Sequence, residues 1–223
     1  DQPRSRGLGD VYKRQPPEAI RAIGELAIEY DLIIVADEIY GRMIYAPNKH
    51  LSIATLPGMR ERTVTLNGFS KTYSMTGWRV GYLAAPEELV SMLTEPRHTL
   101  SINTCTISQH AALAALTGPQ EPVDAMIEEY AERRAWLMPA LNEAGFSYGH
   151  PGGAFYIYTN ISSSGLSSPL FCERLLQETG VMLFPGTMFG DTSTDYIRIS
   201  YLQPLPLIQE AMERIASFTR SVT

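Results

Sequence analysis

Hydrophobic positions recur in two rhythms along this chain, one helical and one of period two, and their order predicts an α/β fold. Ile20, Ile23, Leu26, Ala27 and Tyr30 return at helical spacing behind Pro16-Pro17-Glu18, a sequence suited to a first helical turn. Residues 32–36 are then apolar without a break and stop on Asp37, which predicts a buried parallel strand releasing polar groups at its carboxyl end. Residues 63–66 and 80–84 read as two more strands. An order of helix, strand, strand, strand belongs to the middle of a larger sheet.

The pattern changes further along. Helices are predicted over 108–116 and 122–144, and the longer one has an apolar stripe of Met126, Tyr130, Ala131, Trp136, Leu137 and Leu141. Glu128, Glu129, Glu132, Arg133 and Arg134 cover its other side and are expected to form a solvated face. Beyond it come a strand at 155–158, a Ser/Gly-rich loop at 162–168, a helix at 169–179, short strands near 181–184 and 196–201, and a closing helix at 205–219. This alternation suits a small α/β domain, with the long helix as connector. The expected division is a remainder of a larger domain at 16–121 and the connecting helix with the smaller domain at 122–223. Residues 1–15 are polar and without period, and are read as a non-native leader.

The densest chemistry lies in Asn-Gly-Phe-Ser-Lys-Thr-Tyr-Ser-Met-Thr-Gly-Trp-Arg-Val-Gly-Tyr, from Asn67 to Tyr82, where Lys71 precedes Arg79 by eight residues. A lysine amine condenses with an aldehyde to a Schiff base, and a guanidinium holds phosphate through parallel hydrogen bonds. Pyridoxal 5'-phosphate carries both groups. Singly, each residue is more simply a surface charge. The second segment, Leu-Ile-Ile-Val-Ala-Asp-Glu-Ile-Tyr ending at Tyr40, changes the balance, because a protonated pyridine ring needs a carboxylate partner and Asp37 stands at a strand end. In the third, Asp195-Tyr-Ile-Arg-Ile-Ser-Tyr201, period-two alternation sets Ile197 and Ile199 on one face and Tyr196, Arg198 and Ser200 on the other. Arg198 therefore projects from a strand, where a fixed guanidinium suits bidentate capture of a carboxylate.

The run from Asn67 to Gly81 resembles the lysine signature of the class I and II aminotransferases, pyridoxal-phosphate enzymes of fold type I. The resemblance implies that Lys71 anchors the cofactor and moves the substrate proton, that Arg79 and Ser70 hold the phosphate, that Asp37 and Tyr40 contact the ring, and that Arg198 binds the substrate carboxylate. It implies the C-terminal part of the fold type I large domain, with a mixed, mostly parallel sheet, followed by a small α/β C-terminal domain. Residues 151–156 and 184–190 resemble family segments that border the substrate pocket, and Gly152, Gly153, Gly186 and Gly190 most simply permit backbone turns. The family's Gly-rich phosphate loop, ring-stacking aromatic residue and Asn-Pro-x-Gly turn lie upstream of the position of Pro16 and do not occur here, so an N-terminally truncated member is expected. Amino-acid and 2-oxo-acid substrates and a homodimer follow from the same resemblance. A carbon–sulfur lyase of this fold, a non-catalytic ligand-sensing domain and an inactive fragment remain alternative readings.

Composition narrows the classes. With 223 residues, 44% hydrophobic content and a formal charge of −6, the chain can bury a sizeable core and has no basic run to attract nucleic acid. No stretch approaches the ~20 apolar residues that span a bilayer, and a cytoplasmic location is expected. Cys105 and Cys172 lack metal or disulfide spacing and are expected to be two buried thiols. His50, His98, His110 and His150 are scattered, so no metal is assigned.

Overall fold

The computed structural model describes residues 15–190 and 192–222, and these divide into two compact units that change over between Asp124 and Ala125. The expected leader lies outside the described residues except for Gln15. The first unit opens with α1 (Pro17–Glu29), whose Ala27 is buried with Ile53 and Met59 and flanked by Ile20, Ile23, Ile34 and Leu56. Its sheet has the order β1 (Ile34–Asp37), β2 (Thr63–Gly68), β3 (Gly81–Ala84). β1 runs parallel to β2, with Asp37 beside Leu66, and β3 runs antiparallel to β2, with Gly81 beside Gly68. The carboxyl ends of β1 and β2 and the start of β3 therefore meet at one end of the sheet. α2 (Glu87–Leu100) and α3 (Thr106–Thr117) follow, and α4 (Glu121–Glu143) carries the changeover to the second unit.

The second unit has a wholly antiparallel sheet in the order β4 (Ser147–Tyr148), β5 (Tyr156–Asn160), β7 (Tyr196–Ser200), β6 (Phe184–Pro185). Alternation gives it two unlike faces. Ile157 opposes Ile199 and Thr159 opposes Ile197 on a fully covered face, while Tyr156, Tyr158, Arg198 and Phe184 share the other. α5 (Ser168–Thr179) contributes Phe171 and Leu175 to the core, and α6 (Leu205–Val222) contributes Ile208, Met212, Ile215 and Phe218. The Phe171 ring meets Phe146 at 6.0 Å and Phe218 at 5.2 Å, both edge to face. Leu137 and Leu141 of α4 are fully buried.

Several expectations change on contact with this architecture. The strand ending at Asp37 is parallel but only half covered: Val35 is 64% exposed, and Leu32 and Ile33 are also open. α2 was not anticipated, and none of its residues is buried. β4 is also additional, and a short 3₁₀ turn, Ser162–Ser164, occupies the expected Ser/Gly loop. Arg133 and Arg134 do not belong to a solvated face. Arg133 is only 7% exposed and donates to the Leu202 carbonyl while pairing with Glu129, and Arg134 donates to the Pro151 carbonyl at 2.8 Å. The Leu202 carbonyl lies two residues past β7 and the Pro151 carbonyl in the connection from β4 to β5, so the guanidinium donors serve carbonyls outside the strand ladder. Cys105 is exposed and only Cys172 is buried. No helix among the described residues is long and apolar enough to cross a membrane.

Candidate active site

β2 delivers the chain directly into Phe69-Ser70-Lys71, and the loop returns to β3 through Arg79. Four buried residues pin it from below: Phe69, Met75 and Val80 pack with Ala112 of α3, flanked by Tyr73, Ala111 and Ala115. Within the loop, Tyr73 and Met75 donate their amides to the Phe69 carbonyl, and Ser74 donates to that of Lys71. With its apolar residues anchored, the loop leaves Ser70 and Lys71 half-buried beside the sheet's end. Gly81 lets the strands close there, since a Cβ on it would lie 3.0 Å from the Asn67 carbonyl oxygen.

Asp37, Ser70, Lys71 and Arg79 line one open cleft of about 350 Å³, together with Ile39, Leu66, Asn67 and Thr76. Tyr40 stands beside them, its ring centroid 6.0 Å from Lys71 Nζ. Five of the six candidate residues thus converge within the first unit. Asp37 is exposed rather than buried, and its Oδ1 accepts the Ile39 amide at 3.1 Å. Arg79 has φ 49° and ψ 50°, a left-handed conformation that strains a side-chain-bearing residue, and its guanidinium donates to the Thr76 carbonyl at 2.9 Å. Asn67 and Thr76 were not singled out from the sequence. Their signal was position alone, one at a strand end and the other three residues before Arg79.

Glu38, next to Asp37, is tied down by His50 Nε2 at 2.9 Å. Burial pushes its pKa up, but hydrogen bonds from His50 and Ser52 and the His50 charge outweigh that and hold it below the ordinary glutamate value.

The sixth candidate, Arg198, belongs to the second unit. It occupies the middle of β7, with Tyr158 opposite on β5 and Phe184 opposite on β6. Gly186 is required for close approach, not for a left-handed turn: a Cβ there would fall 2.5 Å from the Ser193 and Tyr196 carbonyl oxygens. Ala154, and no glycine, takes the left-handed conformation in the 151–156 segment, at φ 58°.

The model of the family "Aminotransferase class I and II" matches residues 9–215. The chain belongs to the class I and II aminotransferase family. It is 41% identical over 214 residues to the aspartate aminotransferase of Pyrococcus abyssi, covering 95% of this chain and 54% of that one. To the aromatic-amino-acid aminotransferase 2 of Thermococcus litoralis it is 42% identical over 200 residues, covering 88% and 51%. The solved structure of an aromatic aminotransferase from Pyrococcus horikoshii superposes with a TM-score of 0.89 at 39% identity, over 93% of this chain and 56% of that chain. The chain thus spans about half the length of the curated relatives it matches. Aminotransferases of this family use pyridoxal 5'-phosphate, and the cleft's amine, guanidinium, hydroxyl and carboxylate fit that group's aldehyde, phosphate and ring nitrogen in kind and number.

Proposed function

We propose that the protein is an aminotransferase that moves an amino group between an amino acid and a 2-oxo acid, with Lys71 as its covalent anchor for pyridoxal phosphate. The observation that carries this reading is the convergence of Lys71, Arg79, Ser70 and Asp37 on one cleft at the end of β1 and β2. The cofactor, when bound, supplies an electron sink for the bond broken at the substrate's alpha carbon. Lys71 Nζ takes the alpha proton and returns it on the far side of the transfer, as general base and then acid. Arg79 and Ser70 bind the phosphate. Asp37 holds a proton on the ring nitrogen by its charge, Tyr40 donates to the ring oxygen, and Arg198 orients the substrate carboxylate.

The names of the relatives, aspartate and aromatic-amino-acid aminotransferases, support transfer over carbon–sulfur elimination. We further infer a homodimer, a cytoplasmic location, and a division into a cofactor-binding remainder at 16–121 and a connecting helix with a smaller domain at 122–223. The changeover at Asp124 supports that division, and the formal charge of −6 suits a soluble protein.

Borohydride reduction in the presence of pyridoxal phosphate should fix the cofactor's mass on the peptide containing Lys71, and Lys71→Ala should abolish the capture. The other lysines are Lys13 and Lys49, and labelling of either with Lys71 untouched would overturn the assignment. Arg198→Ala should retain the cofactor but weaken amino-acid and oxo-acid binding about a hundredfold, as expected for losing a bidentate charged pair. Loss of cofactor as the main effect would remove Arg198 from the substrate role.

A further inference from the structure

The side chain of Arg198 is enclosed by aromatic rings to a degree that its strand position alone does not require. Its guanidinium carbon lies 4.1 Å from the Phe189 ring centroid, 4.4 Å from that of Tyr156 and 5.2 Å from that of Phe184. Phe184 is its direct neighbour across the β6–β7 ladder, Tyr156 is diagonal to it on β5, and Phe189 reaches in from the segment after β6. Tyr158, opposite Arg198, is itself held by a parallel stack on Tyr196 at 4.9 Å and 6°. No carboxylate among the described residues pairs with Arg198.

The enclosure is uneven over the guanidinium. Nε is sealed from solvent and has no hydrogen-bond partner among the described residues. An orphaned buried donor is costly, and the rings offset that cost only through their faces, by cation–π attraction. A guanidinium presents five donors in a fixed plane. With Nε–H shut away from solvent, the donors left for a ligand are those on the two terminal nitrogens.

We propose that Phe189, Tyr156 and Phe184 are positioning residues that clamp the Arg198 guanidinium flat, so that a carboxylate is met end-on by its two terminal nitrogens and not side-on through Nε. The inference rests on the reading of Arg198 as a carboxylate site and adds how the site is oriented. Dry aromatic surroundings also strengthen the charge felt by the ligand, because no water competes on the ring side. Specificity for a planar anion then comes from the clamp, since a guanidinium free to rotate could accept either edge.

Nitrogen-15 NMR of arginine side chains on the full chain tests this, with pyruvate as the carboxylate probe. Arg198 Nε–H should exchange slowly with water, and pyruvate should shift the terminal nitrogens while leaving Nε nearly unmoved. Phe189→Leu should speed Nε–H exchange and weaken pyruvate about tenfold, the size of one cation–π contact, while Phe189→Tyr keeps both. If Phe189→Leu fails to fold, as judged in the same spectra, Tyr156→Leu carries the same expectation. Fast Nε–H exchange in the unsubstituted chain, a pyruvate shift centred on Nε, or equal losses in Phe189→Leu and Phe189→Tyr would each overturn the clamp. Failure of the carboxylate reading is a separate result: pyruvate binding that survives Arg198→Gln unchanged.

Discussion

Arg79 and Arg198 carry the same guanidinium in opposite settings. Arg79 sits on a strained loop residue at the open end of a sheet and is tied to a backbone carbonyl three residues away. Arg198 stands in mid-strand, boxed by three rings, on a sheet whose other face is fully covered. The contrast extends to the units themselves. Among the described residues, the first has small buried clusters about Phe69 and about Met59 and an α2 without a buried residue, whereas the second packs Leu137, Leu141, Ile157, Phe171, Leu175 and Ile197 out of solvent. A group that stays in place, such as a phosphate, can be held by loop donors whose geometry settles around it. On the role proposed for Arg198, a substrate carboxylate that enters and leaves at every turnover would need a cation whose orientation is already fixed, which a hard-packed sheet would supply.

The thiols should show the largest difference between the two units. Cys105 stands at the N-terminal end of α3, where the nearby backbone amides of Ser108 and Ile107 hold its thiol below the ordinary pKa, and it is exposed. Cys172, inside α5, has its thiol pushed up to about 12 by burial. Iodoacetamide near neutral pH should therefore alkylate Cys105 roughly a thousandfold faster, with mass spectrometry reading each peptide. Comparable rates would mean that the second unit opens far more readily than its packing implies.

Core truncation comes next in size. Leu137→Ala removes a fully buried side chain and should cost about 3 kcal/mol, within the usual range for a large-to-small change in a packed core. Leu93→Ala on α2 removes a side chain already exposed and should change stability by no more than about 0.5 kcal/mol. Urea unfolding of both variants measures the gap directly. Near-equal midpoints would erase the contrast between the units.

The sequence carried this organisation unevenly. The stop at Asp37 and the alternation through Arg198 were legible because strand periodicity and the polar end of an apolar run are local signals. α2 was not, since Pro96 breaks its pattern and no residue of it is buried, so there was no stripe to read. Arg133 looked like one more charge on a helix face. Its partners, the carbonyls of Tyr201 and Leu202, lie 68 and 69 residues away, a separation that no helical rhythm encodes. The box around Arg198 was legible only as two pocket-bordering segments, 151–156 and 184–190. Tyr156 and Phe184 are set around Arg198 by the antiparallel register, and Phe189 reaches it from the turn after β6, which no local pattern encodes.

The smallest expected effect concerns Glu38, beside the cleft. Its folded pKa lies below the ordinary glutamate value, so its pairing with His50 stabilises the fold fully above the ordinary carboxylate range, and that contribution is lost as pH falls through the lowered folded value. The side chain is only 12% exposed, which limits screening by salt. The pair joins Glu38, one residue past β1, to His50, and the Glu38 amide also donates to the Leu66 carbonyl at the end of β2. Acid should therefore loosen the 38–50 segment before it affects α5 or α6. Amide exchange followed from pH 7 downward should show protection falling first at residues 38–50, and His50→Ala should move that loss to higher pH, since two of the lowering interactions come from His50. An unchanged profile in His50→Ala would assign the lowered value to Ser52 instead and leave the histidine as packing against Gly41, where a Cβ would lie 3.3 Å from the His50 ring.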